Sequence, residues 1–240
     1  MWYRYEMHMH SCQGSKCGKS PCADMVRAYH AAGYAGAVLT DHFIWGNTAI
    51  PRDLPWEERM QGYYDAYLSA KPVADELDFD LIFGFEHQYG HNKEILVYGI
   101  GVDFLKANAD IPDITLAEFC DRIHAAGGYI SHAHPFRFRP YMVEGFFPAD
   151  TSHCDALEVY NFADGYDHPE YNEKSEELCA SLGLARTSGA DSHWQDYIGI
   201  GKAGMAFPER VHTPQELVAM LKSGKGKLIV GGELKDTLFA

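Results

Sequence analysis

Short apolar runs alternate with helix-length segments along the chain, and five of the runs stop at a histidine or a carboxylate. The apolar or alternating stretches are residues 2–10, 35–40, 79–85, 129–131 and 185–187. They lead to His8 and His10, Asp41-His42, Glu86, His132-Ala133-His134, and Asp191-Ser192-His193 respectively. Strands that alternate with helices predict a mainly parallel sheet, open or closed into a barrel. In a barrel the C-terminal ends of the strands share one face, so these side chains would converge.

Local signals place the elements. In residues 2–10, Tyr3, Tyr5 and Met7 alternate with Glu6, His8 and His10, and a pleat of period two puts both histidines on one side. Pro21 suits a helical first turn, Ser20 is the expected N-cap, and Gly33 stops the helix after residue 32. Further helices are predicted over 56–77, 115–126, 169–182 and 213–222, and further strands over 95–98, 156–160 and 227–230. Glu86 closes the nearly all-apolar run Leu81-Ile82-Phe83-Gly84-Phe85, where an unpaired buried charge costs several kcal/mol and demands a cation or a donor. No repeat, linker or composition break divides the chain, so a single domain over residues 1–240 is expected.

Composition narrows the function. The 240 residues carry 20 Lys+Arg against 34 Asp+Glu, a formal charge of −14. An electrostatic grip on long nucleic acid or an anionic membrane needs clustered cations, so neither partner is expected and a small phosphorylated substrate is. The N-terminal residues lack the apolar core of a signal peptide. Six cysteines without a CxxC pair do not make a disulfide framework, and a reducing, cytoplasmic setting is expected. With 13 histidines present, a Ser/His/Asp trio would arise by chance, and no serine sits in a GxSxG elbow.

Two nucleotide-binding patterns fail on inspection. Gly199-Ile200-Gly201-Lys202-Ala203-Gly204 spells GxGxxG but lacks a strand–turn–helix context. Gly14-Ser15-Lys16-Cys17-Gly18-Lys19-Ser20 looks like a phosphate-binding loop, yet has three residues between its glycines where four are needed.

Taken in order, His8-Met9-His10, Thr40-Asp41-His42, Gly84-Phe85-Glu86, Ala133-His134-Pro135 and Gly189-Ala190-Asp191-Ser192-His193 resemble the motifs of the polymerase-and-histidinol-phosphatase (PHP) superfamily of metal-dependent phosphoesterases. The resemblance runs from His8 to at least His193. It implies a distorted (β/α)7 barrel with two or three divalent ions (zinc, manganese or iron) at the C-terminal ends of the strands. By that resemblance His8, His10, Glu86 and Asp191 hold the first ion, Glu86 and His134 the second, and His42 and His193 the third.

Two positions depart from the pattern. No histidine or carboxylate follows His10 in the stretch 11–18, and Cys17 is nearest the missing ligand, with a thiolate suited to zinc. Glu94 stands where a histidine often precedes the apolar strand, and favours harder ions; His87 or His91 is the alternative there. His132 is a candidate supporting residue.

Phosphoester hydrolysis explains the demand for such a cluster. A bound divalent ion lowers the pKa of its water to roughly 7, and paired ions about 4 Å apart clamp the attacking and transferring oxygens. Asp191, His193 and Arg137 are the candidate catalytic residues: Asp191 to orient the attacking hydroxide, Arg137 to grip a phosphate oxygen or else to form a salt bridge. The expected activity is hydrolysis of a small soluble phosphate monoester, with histidinol phosphate as one candidate. A phosphodiesterase acting on nucleotides or short oligonucleotides, and a metal-binding module without turnover, are the other readings.

Overall fold

The computed structural model describes residues 1–142 and 151–239, apart from the side chain of His91. Residues 143–150, within the 137–152 stretch that follows His134, lie outside the described residues.

Among the described residues, ten strands form a single sheet: β1 (Tyr3–Met9), β2 (Gly36–Leu39), β3 (Asp80–Tyr89), β4 (Lys93–Tyr98), β5 (Tyr129–His132), β6 (Ala156–Asn161), β7 (Ala185–Gly189), β8 (Ala203–Phe207), β9 (Lys227–Val230) and β10 (Glu233–Lys235). Their order is β10-β9-β8-β1-β2-β3-β4-β5-β6-β7. The sheet curls until the ends of β1 and β7 meet, where Met9 pairs with Ser192 in a parallel bridge. His10 N donates to Ser192 O and Ser192 N to His8 O.

Pairing departs from regular strand–helix alternation. β1–β2–β3 and β5–β6–β7 are parallel. β3–β4–β5 and β1–β8–β9–β10 are antiparallel. For β3–β4–β5 the reason is the hairpin at Gly90–Asn92: β3 does not stop at Glu86 but continues to Tyr89, and β4 returns beside it. Since β4 runs the opposite way, its beginning, at Glu94, lies at the same end of the sheet as Glu86.

Helices α1 (Cys22–Ala31), α2 (Trp56–Glu76), α3 (Val102–Ala107), α4 (Leu116–Ala125), α5 (Phe162–Asp167), α6 (Pro169–Leu182) and α7 (Pro214–Ser223) surround the sheet. Their apolar sides bury three clusters, centred on Tyr5, Met7 and Leu157, on Phe43, Phe85 and Phe119, and on Met25, Tyr29 and Leu81. Burying one such side chain fully contributes about 1.5–3 kcal/mol. Ser20 is not the cap of α1. Pro21 occupies that position, and Ser20 Oγ instead accepts from Gln195 N. The GxGxxG stretch leads into strand β8 rather than a helix, and Gly204 lies where a Cβ would fall 2.2 Å from Tyr5 O. All six cysteines are free, and no helix among the described residues is long and apolar enough to cross a membrane.

Candidate metal centre

Side chains from six strands and their following loops meet at one end of the sheet. Glu86 is at the middle, 1% exposed. Its Oε1 lies 3.2 Å from His8 Nε2 and 3.1 Å from His134 Nε2. Its Oε2 lies 2.6 Å from His42 Nδ1 and 3.6 Å from His10 Nε2. Asp191 Oδ1 stands 3.5 Å from His8 Nε2 and 3.2 Å from His10 Nε2. Glu94 bridges the outer side, 3.4 Å from His42 Nδ1 and 3.5 Å from His134 Nε2.

Backbone geometry sets these directions. His134 and Asp191 adopt φ of +29° and +54°, left-handed conformations that cost non-glycine residues of order 1–3 kcal/mol. Both turn the chain sharply at a strand end, aiming the side chain inward. The loop after β1 is shaped by Asp41, whose carboxylate accepts from Ser11 N, Ser11 Oγ and Ser15 Oγ. Gly14 packs so closely against that carboxylate that a Cβ would fall 2.3 Å from Asp41 Oδ2. Lys19 N donates to His193 O, holding the loop across the site. Cys17 thereby faces His42 and His193 across one cavity. Burial pushes its thiol up, but these imidazoles outweigh burial and bring it down to about 6.

Behind the histidines stands a residue that the sequence reading missed. Glu158 Oε1 lies 3.0 Å from His8 Nδ1, while its Oε2 accepts from His134 N and Asn161 Nδ2. A carboxylate isolated between Leu157 and Val159 in an apolar strand was the available signal. His193 Nδ1 donates to Asp191 O, leaving Nε2 as the ligand atom. Arg137 is held inside the site rather than on the surface, donating to Asp164 at 2.9 Å and to Asp191 at 2.5 Å. A cavity of about 420 Å³ opens here, lined by Cys17, His42, Gln88, Glu94, Arg137 and Asp191 among others.

The structure thus brings His8, His10, Cys17, His42, Glu86, Glu94, His134, Arg137, Asp191 and His193 together. Two others go elsewhere. His87 points to the opposite side of β3 and stacks on Phe119 at 4.2 Å between ring centroids. Burial alone brings its imidazole down to about 3. His132 pairs with the Tyr89 hydroxyl at 2.6 Å and with Ala133 O at 2.9 Å. The side chain of His91 lies outside the described residues.

Residues and chemistry fit divalent cations. Four buried ligand-type atoms, His8 Nε2, His10 Nε2, His42 Nδ1 and Glu86 Oε2, make no well-formed hydrogen bond. Groups such as His8/His10/Asp191, His8/Glu86/His134, His42/Glu86/Glu94 and His10/His42/His193 each offer three donor atoms within 4.8 Å of one another. Leaving buried polar atoms unsatisfied costs about 1–3 kcal/mol each, and crowded carboxylates cost more; cations remove both penalties. Without cations, burial pushes the Glu86 carboxyl up while the His42 and His8 imidazoles hold it well below its ordinary range.

The comparisons with known proteins follow the same line. A family model described as PHP-associated matches residues 169–225, the segment containing Asp191 and His193. No curated protein matches the sequence. Among solved structures, a two-domain protein from Bacteroides vulgatus containing a predicted PHP-like metal-dependent phosphoesterase is similar, with a TM-score of 0.65 at 15% identity. That match covers 98% of this chain and 66% of the other. The lesion-specific endonuclease PfuEndoQ from Pyrococcus furiosus gives 0.66 at 15% identity, over 95% of this chain and 58% of that one. Endonuclease Q in complex with a 27-mer duplex bearing an abasic lesion gives 0.61 at 12%, over 93% and 57%. The chain therefore spans 66% or less of the length of these three proteins, and at these identities the likeness is one of fold. The resemblance to the PHP superfamily read from the motifs is borne out.

One expectation is overturned. Long nucleic acid was excluded on the charge of −14, yet a protein of this fold is seen on duplex DNA. Net charge sums the whole surface, whereas a phosphate backbone meets only the local field at the site, which cations and arginines set.

Proposed function

We propose that this chain is a metal-dependent phosphoesterase. The observation that carries the reading is the set of unsatisfied nitrogen and oxygen atoms packed around both oxygens of Glu86. His8, His10, Glu86 and Asp191 would hold one divalent ion, Glu86, Glu94 and His134 a second, and Cys17, His42 and His193 a third. Bound there, the ions would supply an activated water near neutral pH and offset charge on the transferring phosphoryl oxygens.

The protein's own groups do the positioning. Glu158 fixes the tautomer of His8 by accepting from Nδ1, so that Nε2 faces Glu86. Arg137 points a guanidinium into the mouth of the site and is steadied by Asp164 and Asp191; it donates to a non-bridging phosphoryl oxygen. Asp191, with one oxygen toward His8 and His10 and the other toward Arg137, aligns the attacking oxygen with the phosphorus.

A small phosphate monoester suits the 420 Å³ cavity. A nucleic-acid phosphodiester is the second reading, favoured by the likeness to endonucleases. Comparing hydrolysis of p-nitrophenyl phosphate with that of bis-p-nitrophenyl phosphate separates them. Faster turnover of the monoester supports the first reading, faster turnover of the diester the second, and no turnover of either by metal-loaded protein overturns phosphoesterase activity.

A further inference from the structure

A second and larger cavity, of about 530 Å³, lies beside the metal centre on the other face of the β3–β4 hairpin. Gln88 and Asn92 line both cavities. Gln88 Nε2 donates to Asn92 Oδ1 at 3.2 Å, so this pair forms the ridge between them. Asn92 holds that place with φ of +56°, a left-handed position that asparagine tolerates better than most residues.

The character of the second cavity differs from the first. Its walls are Trp45, Tyr89, Ile111, Ile114, Leu116 and Phe119, with His87 laid flat against Phe119. Trp45 is 48% exposed on the rim, although its neighbours Phe43 and Ile44 are fully buried. A large indole left half in water at the mouth of an apolar cavity offers a face for stacking. Among the described residues, no charged side chain lines the cavity. A phosphate meets no cation among these residues, whereas a flat ring gains apolar burial and aromatic contact, with amides at the ridge to meet ring heteroatoms.

From this adjacency we infer that the cavity receives the alcohol portion of the substrate, reaching it over the Gln88–Asn92 ridge, and that this portion carries a flat aromatic or heterocyclic ring. The inference rests on the phosphoesterase reading and adds the substrate class to it: esters of ring-bearing alcohols rather than of short aliphatic ones. Trp45, Ile114 and Leu116 then determine specificity, while Gln88 and Asn92 orient the ring across the ridge from the phosphoryl group.

Binding of phosphonates, which cannot be hydrolysed, tests the assignment without relying on turnover. Metal-loaded protein is titrated calorimetrically with benzylphosphonate and with methylphosphonate. The wild type is expected to bind the benzyl compound at least about tenfold tighter, a typical yield for one buried ring with stacking. Trp45→Ala removes a wall and Ile114→Trp fills the space, and each is expected to shrink the gap to about threefold or less. Equal affinity of the two phosphonates for the wild type overturns the assignment, as does an undiminished gap in both variants. An intact gap in a protein that hydrolyses no phosphoester sinks the phosphoesterase reading and leaves the ring pocket standing.

Discussion

Glu158 stands directly behind His8, with its Oε1 3.0 Å from the Nδ1 of the imidazole and both side chains essentially buried. The pair is a carboxylate–histidine arrangement in which the outer partner fixes which nitrogen faces the site. Removing such a partner ordinarily costs about 10–100-fold in metal affinity. Glu158→Gln is therefore expected to weaken binding of the most tightly held ion by about that factor, read by competition against a chromogenic chelator.

Glu86→Gln should be more severe. The change keeps size and one oxygen but removes the negative charge shared between the two halves of the site. Cations about 4 Å apart then repel with less compensation, a term of several kcal/mol in a poorly solvated site. The expected outcome is loss of at least one metal equivalent and of at least roughly a hundredfold in turnover, about 2.7 kcal/mol of transition-state stabilisation. Elemental analysis alongside rates checks both.

Cys17 shares the cavity wall with the outer imidazoles His42 and His193, which lower its thiol. Cys17→Ser replaces a thiolate ligand by a poor one there and leaves the Glu86 cluster intact. A loss in turnover smaller than that of Glu86→Gln, together with lower zinc occupancy, is expected from parallel metal analysis.

Arg137→Lys separates substrate grip from metal binding. Lysine cannot reproduce the fork that spans Asp164 and Asp191. A fall of about tenfold in kcat/KM, about 1.4 kcal/mol, is expected with metal content unchanged. Steady-state kinetics and metal analysis on the same sample decide it.

Most of the candidate ligands were legible because they fall at or just after an apolar run, where a lone imidazole or carboxylate contradicts its surroundings. Glu158 carried the same contradiction, but it lies inside β6, and the imidazole it supports, His8, is 150 residues away in sequence. The β3–β4 hairpin escaped because His87-Gln88-Tyr89 alternates weakly and looks like loop; its continuation is seen only through pairing with Lys93, Glu94 and Ile95. Strand β8 was hidden in a glycine-rich stretch whose pairing with β1 is long-range. Ser20 had the right chemistry for a cap, but tertiary contact with Gln195 claimed its hydroxyl. Local pattern thus exposed the residues that gather around Glu86, while distant pairing decided the sheet.

Metal dependence of phosphate release is the most direct test of the account. Protein stripped by exhaustive chelation, with metal removal verified, is titrated with manganese or zinc while release of inorganic phosphate from p-nitrophenyl phosphate is followed. The account predicts no turnover in the stripped protein and recovery that saturates at two or three equivalents. Full turnover in demonstrably metal-free protein would contradict it.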